Sequence, residues 1–282
     1  GDVYKRQDTE KRTSGRMLSM ENQFGRTSLC TLRAGEKEGK TVLEQVSFTA
    51  PFKIMSPFYE SGDFMHVMLL SASAGIMEGD TQEFDIEVKE GGRLRFSAQA
   101  YEKIHKMKQG SARRNARIRV AHGGIMDYGS QPVIPFAQSA FRSTLEAELE
   151  DESSLFLYQE VLSCGRAARG EKFEYRFYHN LVHVRRQGKL IYRDNCFFEP
   201  ETMDLPGLGM YEGFSHMGSF LVFGTENTSE KVEKIRELLE EDEKTQGGVT
   251  RISDMDLEVR ILGNGAQHIE DLFAQIRKII DI

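Results

Sequence analysis

The chain has 282 residues but no tryptophan, only three cysteines and only six prolines. Cys30, Cys164 and Cys196 are widely spaced and odd in number, which is not the pattern of a disulfide framework or a zinc site. No apolar run approaches the ~20 residues that cross a bilayer, and no charged-then-apolar signal begins the chain. These absences predict a cytoplasmic protein that does not enter a membrane.

The motifs of the common enzyme classes are missing as well. There is no Gly-x-Ser-x-Gly turn, no Walker loop and no His-Glu-x-x-His sequence. An acid pair assembled by folding remains open, so a carbohydrate-active hydrolase or lyase on a β scaffold is the enzymatic alternative. The lack of tryptophan weighs against that alternative, because sugar sites usually contain large aromatic platforms.

The net charge of −7 argues against general affinity for nucleic acid, which requires a basic surface. The charges are unevenly distributed along the chain. Residues 103–119 carry lysines and arginines with no acid between them, whereas residues 230–243 are rich in glutamate. Both segments fit solvated faces, and both also fit docking surfaces for partners of opposite charge.

Residues 2–7 read like a translated sequencing adapter, so we expect the native chain to start at Met17 or Met20. We divide the chain into an adapter-like or disordered segment (residues 1–21), a β-rich body (22–226) and an α/β section packed on the same domain (227–282).

Apolar and polar residues alternate through the body, as in antiparallel strands with one face in water. The alternating runs are residues 83–89, 93–96, 117–120, 145–149 and 173–177. Continuous apolar runs at 155–158 and 190–192 predict strands buried on both faces. Glycine turns between the runs leave a sandwich, a barrel and an irregular solenoid open.

The period changes near the C-terminus. Asn227 is expected to cap a helix, with Glu230 as its reciprocal partner. A strand is predicted at residues 257–262 and a second helix after Gly265. The fold class is therefore mainly β: a solenoid-like, irregular multi-strand body with a small α/β C-terminal section containing two helices.

His179 and His183 have the spacing that binds a metal on a helix. They lie in an alternating run, however, and four residues of strand span ~13 Å. Two ligands of one zinc each lie ~2.1 Å from the metal, so a shared site is not expected.

Three blocks of sequence are unusual. Pro57 favours an extended backbone, which presents Phe58 and Tyr59. A loop with Gly75 and Gly79 follows. In residues 131–136, two closely spaced prolines predict an extended, exposed segment. Residues 162–173 form a turn with two arginines. These arginines either bind an anion or form ion pairs that attach the turn to neighbouring carboxylates.

These blocks, in this order, resemble the UreD family of urease accessory proteins, called UreH in some bacteria. The matching segments are residues 51–59, 73–80, 97–103, 131–136 and 165–171, and the resemblance covers roughly residues 25–282. One departure is Ala74, where the family usually has a second glycine.

The resemblance implies a maturation chaperone rather than an enzyme, on a β-rich, solenoid-like fold. Family members bind apo-urease and recruit UreF and the GTPase UreG, and nickel passes through the complex. No tightly bound cofactor is implied, only transient Ni²⁺. A generic β-rich adaptor without a urease connection is the third interpretation.

A nickel conduit needs oxygen or imidazole ligands that release the metal, and buried carboxylates are candidates. We predict metal contact at Asp80, Glu171 and Glu160. For partner binding we predict the aromatic residues Phe58, Tyr59 and Phe136, because exposed aromatic residues dominate interface energetics. The arginines Arg166 and Arg169 complete the predicted partner-binding set.

Overall fold

The computed structural model describes residues 25–60 and 62–282, so the predicted adapter-like segment lies outside the described part. Two β-sheets pack face to face, and two helices cover the outer face of the second sheet. The seven strands of sheet A are β1 (Thr27–Lys37), β2 (Lys40–Phe48), β6 (Thr81–Val88), β9 (Ala112–Val120), β12 (Ala140–Leu149), β14 (Phe177–Arg186) and β15 (Lys189–Phe198). Within the described ranges, no helix is long and apolar enough to cross a membrane.

Sheet B contains the remaining strands. Its parallel centre is β5 (Met65–Ser71), β7 (Arg93–Ala98), β10 (Ile125–Gly129) and β13 (Leu155–Ser163). At its margins are β3 (Phe52–Ile54), β4 (Phe58–Tyr59), β8 (Glu102–Ile104), β11 (Val133–Pro135), β16 (His216–Phe223), β17 (Thr245–Arg251) and β18 (Asp256–Gly263).

The body is a β-solenoid, because from β5 to β14 the chain alternates between the two sheets. Equivalent strands of successive coils pair in parallel: Gln82 aligns with Arg114, Arg114 with Ser143, and Ser143 with Asn180. The predicted antiparallel pairing is therefore wrong for these strands. Alternation shows that one face of a strand is buried and the other is in water. Among the described residues no helix covers sheet A, so its parallel strands alternate as well.

The main core lies between the sheets and follows the alternation. Ile86, Ile118 and Phe156 are almost fully buried there. On the opposite face of sheet A, charges alternate across the strands: Arg33 Nε lies 2.8 Å from Glu87 Oε2, and Arg119 Nη2 lies 2.8 Å from Asp85 Oδ1. The arginines of β9 that point outward thus belong to a solvated face, where each pair contributes about 1 kcal/mol or less.

The C-terminal section contains α1 (Thr228–Glu240) and α2 (Ala266–Ile280), as predicted. Their apolar sides pack on sheet B through residues such as Ile235, Phe273 and Ile276. The predicted cap is wrong: Asn227 has left-handed backbone angles and its side chain makes no capping hydrogen bond. A side-chain cap requires an extended cap residue, which this geometry does not provide.

Two local expectations are also wrong. The run at residues 190–192 lies on β15 at the edge of sheet A, and Leu190 is exposed. Pro132 and Pro135 are buried rather than exposed, because β11 is only three residues long and pairs with β8 and β13. Strand β13, in contrast, is buried on both faces as predicted, between the main core and the helices.

Candidate functional site: a basic cleft and a polar row in the core

Segments that are far apart in the sequence meet at one open cleft of about 630 Å³, which we call the Phe136 cleft. Its walls come from the loop before β6, from β8, from β11 and from the turn after β13. Its lining includes Ala74, Lys103, His105, Ile134, Phe136, Arg166 and Arg169. Four of the five blocks that resemble UreD therefore contribute to a single surface.

Two glycines allow the walls of the cleft to approach each other. Gly75 has φ +145°, and a Cβ there would collide with the carbonyl oxygen of Lys103 and the ring of His105. Gly165 has φ +136°, and its Cβ would lie 2.8 Å from the carbonyl oxygen of Glu171. Since these angles and approaches exclude other residues, the two glycines fix the walls.

An arginine, a carboxylate and an aromatic ring form one wall. The Arg166 guanidinium lies 4.2 Å from the centre of the Phe136 ring and donates to both oxygens of Glu171. Glu171 also accepts the Ala137 N–H at 2.8 Å. The hydrogen bonds from Arg166, opposed by partial burial, hold the pKa of Glu171 below its usual value. Glu171 therefore acts as an ionised anchor for Arg166.

The charge of the cleft is positive. Among the described residues, the charged side chains that line the cleft are Lys103, Arg166 and Arg169, and the Glu171 carboxylate accompanies Arg166. This arrangement is not the acid pair of a glycosidase. His105 Nε2 lies 2.9 Å from the Ala74 carbonyl oxygen, to which it donates. Burial lowers the pKa of His216, which favours its neutral form.

A second feature lies inside the body, where a row of polar side chains crosses the inner face of sheet A. Register places these residues side by side on six neighbouring strands: Ser28, Gln82, Arg114, Ser143, Asn180 and Cys196. All but Cys196 are buried. We call this set the polar row.

Arg114 is the centre of the polar row. Its guanidinium donates to Gln82 Oε1 at 2.7 Å and to Glu102 of β8, and it lies over the rings of Phe84 and Phe141. A buried arginine without a paired carboxylate would be strongly unfavourable. Glu102 compensates that charge and joins sheet B to the row.

Glu160 extends the polar row from β13. Its carboxylate accepts hydrogen bonds from the hydroxyls of Tyr178 and Tyr158, the latter at 3.2 Å, and from the Asn180 amide. Burial nevertheless raises the pKa of Glu160, because these neutral donors compensate its charge only in part. No arginine or lysine donates to it among the described residues.

Oxygen atoms in this region are left without partners. Glu102 Oε2 and Asn180 Oδ1 are buried and accept no hydrogen bond within the described part of the chain. A separate cavity of about 10 Å³ lies in the same part of the core and is lined by Arg114, Ser143 and Glu160 among others. Such a space is about large enough for one water molecule next to Glu160.

Asp80 lies elsewhere. Its carboxylate accepts the Met77 N–H at 2.8 Å and the Gly25 N–H at 3.3 Å, and it borders a different cleft of about 680 Å³. Glu78, two residues earlier, accepts backbone N–H groups of the next coil, including that of Lys108 at 2.8 Å. The structure thus separates the three predicted metal contacts: Glu160 is in the core, whereas Asp80 and Glu171 hold surface turns.

Phe58 and Tyr59 form β4 at the margin of sheet B, and each is 44% exposed. The Phe58 ring packs against His66, 4.7 Å between centres, and the Tyr59 hydroxyl donates to the Thr41 carbonyl oxygen at 2.7 Å. Neither residue is among those that line the Phe136 cleft.

His66 also forms hydrogen bonds with a serine on one side of its ring and a glutamate on the other. Its Nε2 lies 2.7 Å from Ser97 Oγ, and its Nδ1 lies 2.7 Å from Glu60 Oε1. Ser97 lies on β7, which pairs with a strand on each side. The backbone N–H groups of β7 therefore form the hydrogen bonds of the sheet and not an oxyanion hole. We therefore infer that these hydrogen bonds hold the β4 segment against the rest of sheet B.

His179 and His183 lie on strand β14, as predicted. His179 contacts Arg142 at 3.1 Å and Asn195 at 2.7 Å. Within residues 25–60 and 62–282, no group of three or more histidine, cysteine, aspartate or glutamate side chains is arranged as a metal site.

Sequence reasoning missed Glu102, Arg114, Tyr178 and Asn180. The signal that could have found two of them is local: Arg114 and Asn180 stand at inward positions of alternating strands, where the neighbouring inward positions are apolar. Their meeting with Glu160 depends on strand register, which is not readable from one segment.

Comparison with known proteins places the chain among urease accessory proteins. The family described as UreD urease accessory protein matches residues 26–281. "Urease accessory protein UreD" of Acetivibrio thermocellus is 41% identical over 262 residues, covering 93% of this chain and 100% of the relative. "Urease accessory protein UreH" of Helicobacter pylori strain G27 is 33% identical over 242 residues, covering 86% and 90%. The chain belongs to the UreD family.

Proposed function

We propose that this chain is a urease maturation chaperone of the cytoplasm. In this proposal it is a scaffold that binds apo-urease and recruits UreF-like and UreG-like proteins for nickel insertion, without catalysing a reaction itself. Membership of the UreD family supports the role in urease maturation. The observation that carries the structural part is the polar row, which crosses the inner face of sheet A between positions that are mostly apolar.

A polar row of this kind requires a reason, because burying polar groups is unfavourable unless they are fully hydrogen-bonded. Apolar side chains at the same positions would pack the two sheets more simply. A path for a hydrated or partly hydrated cation is one reason, and Ni²⁺ accepts oxygen and imidazole ligands. The unpartnered oxygens of Glu102 and Asn180 are ligands of that kind.

Glu160 is the carboxylate best suited to transient contact with the cargo. Because burial raises its pKa, the group holds a proton more readily than an exposed glutamate and can exchange that proton for a cation. Asp80 and Glu171 are proposed as metal contacts at the surface. Both are already engaged by backbone N–H groups, and Glu171 also by Arg166.

Two surfaces are proposed for partner proteins. The first is the exposed aromatic pair Phe58 and Tyr59 on β4. The second is the Phe136 cleft with Arg166 and Arg169. Aromatic and arginine side chains are enriched among the residues that dominate binding energy, which supports both choices.

The test is co-expression of urease and its other accessory proteins with and without this chain, scoring urea hydrolysis and nickel bound to purified urease. We expect both to depend on the chain. Full activity and full nickel content without it would overturn the proposal. The surface contacts are tested by Asp80→Asn and Glu171→Gln; full nickel loading with both variants would remove these two residues from the path.

A further inference from the structure

We propose that the Phe136 cleft binds an acidic segment of a protein partner, in which a carboxylate side chain stands next to an apolar side chain. The inference rests on the proposed function, since a scaffold takes proteins as its ligands. It commits to a segment of a different protein rather than to a free anion or a second copy of this chain.

The lining of the cleft fits an apolar side chain. Ile134, Pro132 and Phe136 provide an apolar surface, which Ala167 and Ala168 continue. The volume of about 630 Å³ is within the range of specific ligand sites. An inorganic anion would leave this apolar surface exposed, whereas the side chain of a leucine or phenylalanine would cover it.

The positive charges of the Phe136 cleft fit an acidic segment. Lys103 and Arg169 are exposed on two different walls, and neither forms an ion pair among the described residues. Arg166, by contrast, is compensated by Glu171. Two uncompensated positive charges beside an apolar surface are complementary to carboxylates that flank an apolar side chain.

The walls of the Phe136 cleft are held rigidly in place. Arg166 is held between the Phe136 ring and the Glu171 carboxylate, and the walls are fixed at Gly75 and Gly165. A preformed cleft loses little conformational freedom when it binds, which favours a short segment that makes few contacts.

Within the described residues, the loop that carries Leu208 has similar chemistry, so a second copy is the main competitor. Leu208 is 93% exposed on a loop that also carries Asp204 and Glu212. This loop is anchored by Tyr211, which is fully buried and packs against Phe173. The experiment must therefore identify the occupant and not only detect one.

The experiment places the photo-crosslinking residue p-benzoylphenylalanine at Ile134 in the full chain, co-expressed with urease and its accessory proteins. Ala168, which is exposed, is a second position in case the first disturbs folding. The control position is Glu146 on the outer face of sheet A. After irradiation, mass spectrometry identifies the crosslinked segment.

We expect crosslinks from both cleft positions, and not from Glu146, to a partner segment with an aspartate or glutamate adjacent to an apolar residue. The double variant Lys103→Glu, Arg169→Glu should lower the yield at least about tenfold, because like charges then face each other. Lys103→Arg should retain it. Salt at about 1 M, where the Debye length is about 3 Å, should lower it as well.

Crosslinks to a segment without carboxylates, to residues 201–212 of a second copy, or to nothing would overturn the inference. So would a yield unchanged by the charge reversals. These results are distinguishable from failure of the proposed function. If nickel loading requires the chain but no acidic segment is found, only the inference about the cleft fails.

Discussion

Replacing Asp127 should loosen the attachment of the C-terminal helix to the body. Asp127 is fully buried on β10 between two arginines. Arg277 of α2 donates to its two oxygens at 2.7 and 2.9 Å, and Arg95 of β7 donates at 2.7 Å. Asp127→Ala leaves both guanidinium groups without their shared carboxylate.

The expected cost follows from this geometry. Removing one partner of a buried ion pair costs about 3–5 kcal/mol. Arg277 keeps a hydrogen bond to Gln159, and Arg95 keeps Glu60. We therefore expect the lower end of that range, about 3 kcal/mol of unfolding free energy. In a chain of this size each kcal/mol lowers Tm by about 2–4 °C, so Tm should fall by about 6–12 °C.

Denaturant and thermal unfolding of the purified chain measure this change. The control is Asp254→Ala, whose side chain is 98% exposed and whose nearest cation is 3.8 Å away; it should change stability by less than about 1 kcal/mol. Burial raises the pKa of Asp127, but the two arginines overcome this effect and lower it. The stabilisation of the fold by ionised Asp127 is thus present above about pH 4, and it is lost as the pH falls through the folded-state pKa of Asp127. Equal losses of stability in the two variants would show that the buried Asp127 carboxylate does not stabilise the fold.

Three further predictions concern the candidate sites. Glu160→Gln should stabilise the chain at neutral pH but not below about pH 4. The folded-state pKa of Glu160 is raised, so this carboxyl group makes the fold less stable as the pH rises from its unfolded-state pKa to its folded-state pKa. Urea unfolding at both pH values checks this. Gly165→Ala should lower Tm and weaken partner retention, since it places a Cβ 2.8 Å from a carbonyl oxygen and a positive φ disfavours it. Phe58→Asp and Phe136→Asp should each reduce retention of a UreF-like partner in a pull-down, and unchanged retention would remove that residue from the interface.

Much of the fold is readable from local sequence. Residues 83–89 indicate β6, and the apolar stripe with Ile269 and Phe273 indicates α2, because one-sided burial imposes a period on each segment. The direction of pairing is not readable, since parallel and antiparallel strands with one wet face alternate in the same way.

The candidate sites are predictable only in part. The sequence predicts Phe136 and Arg166 as partner contacts and Glu171 as a metal contact, and these three side chains lie together in the structure. Glu160 was selected only as a candidate carboxylate. Its partners Tyr178 and Asn180 lie on a strand of the next coil, so its environment depends on register between distant segments and not on its neighbours in sequence.

We propose that the polar row conducts nickel to urease. The most direct measurement is the nickel content of urease matured with the Glu160→Gln chain, compared with wild type and with the exposed control Glu146→Gln, at equal amounts of assembled complex. We expect less nickel with Glu160→Gln alone, while the complex still forms. Nickel content equal to wild type with Glu160→Gln would contradict it.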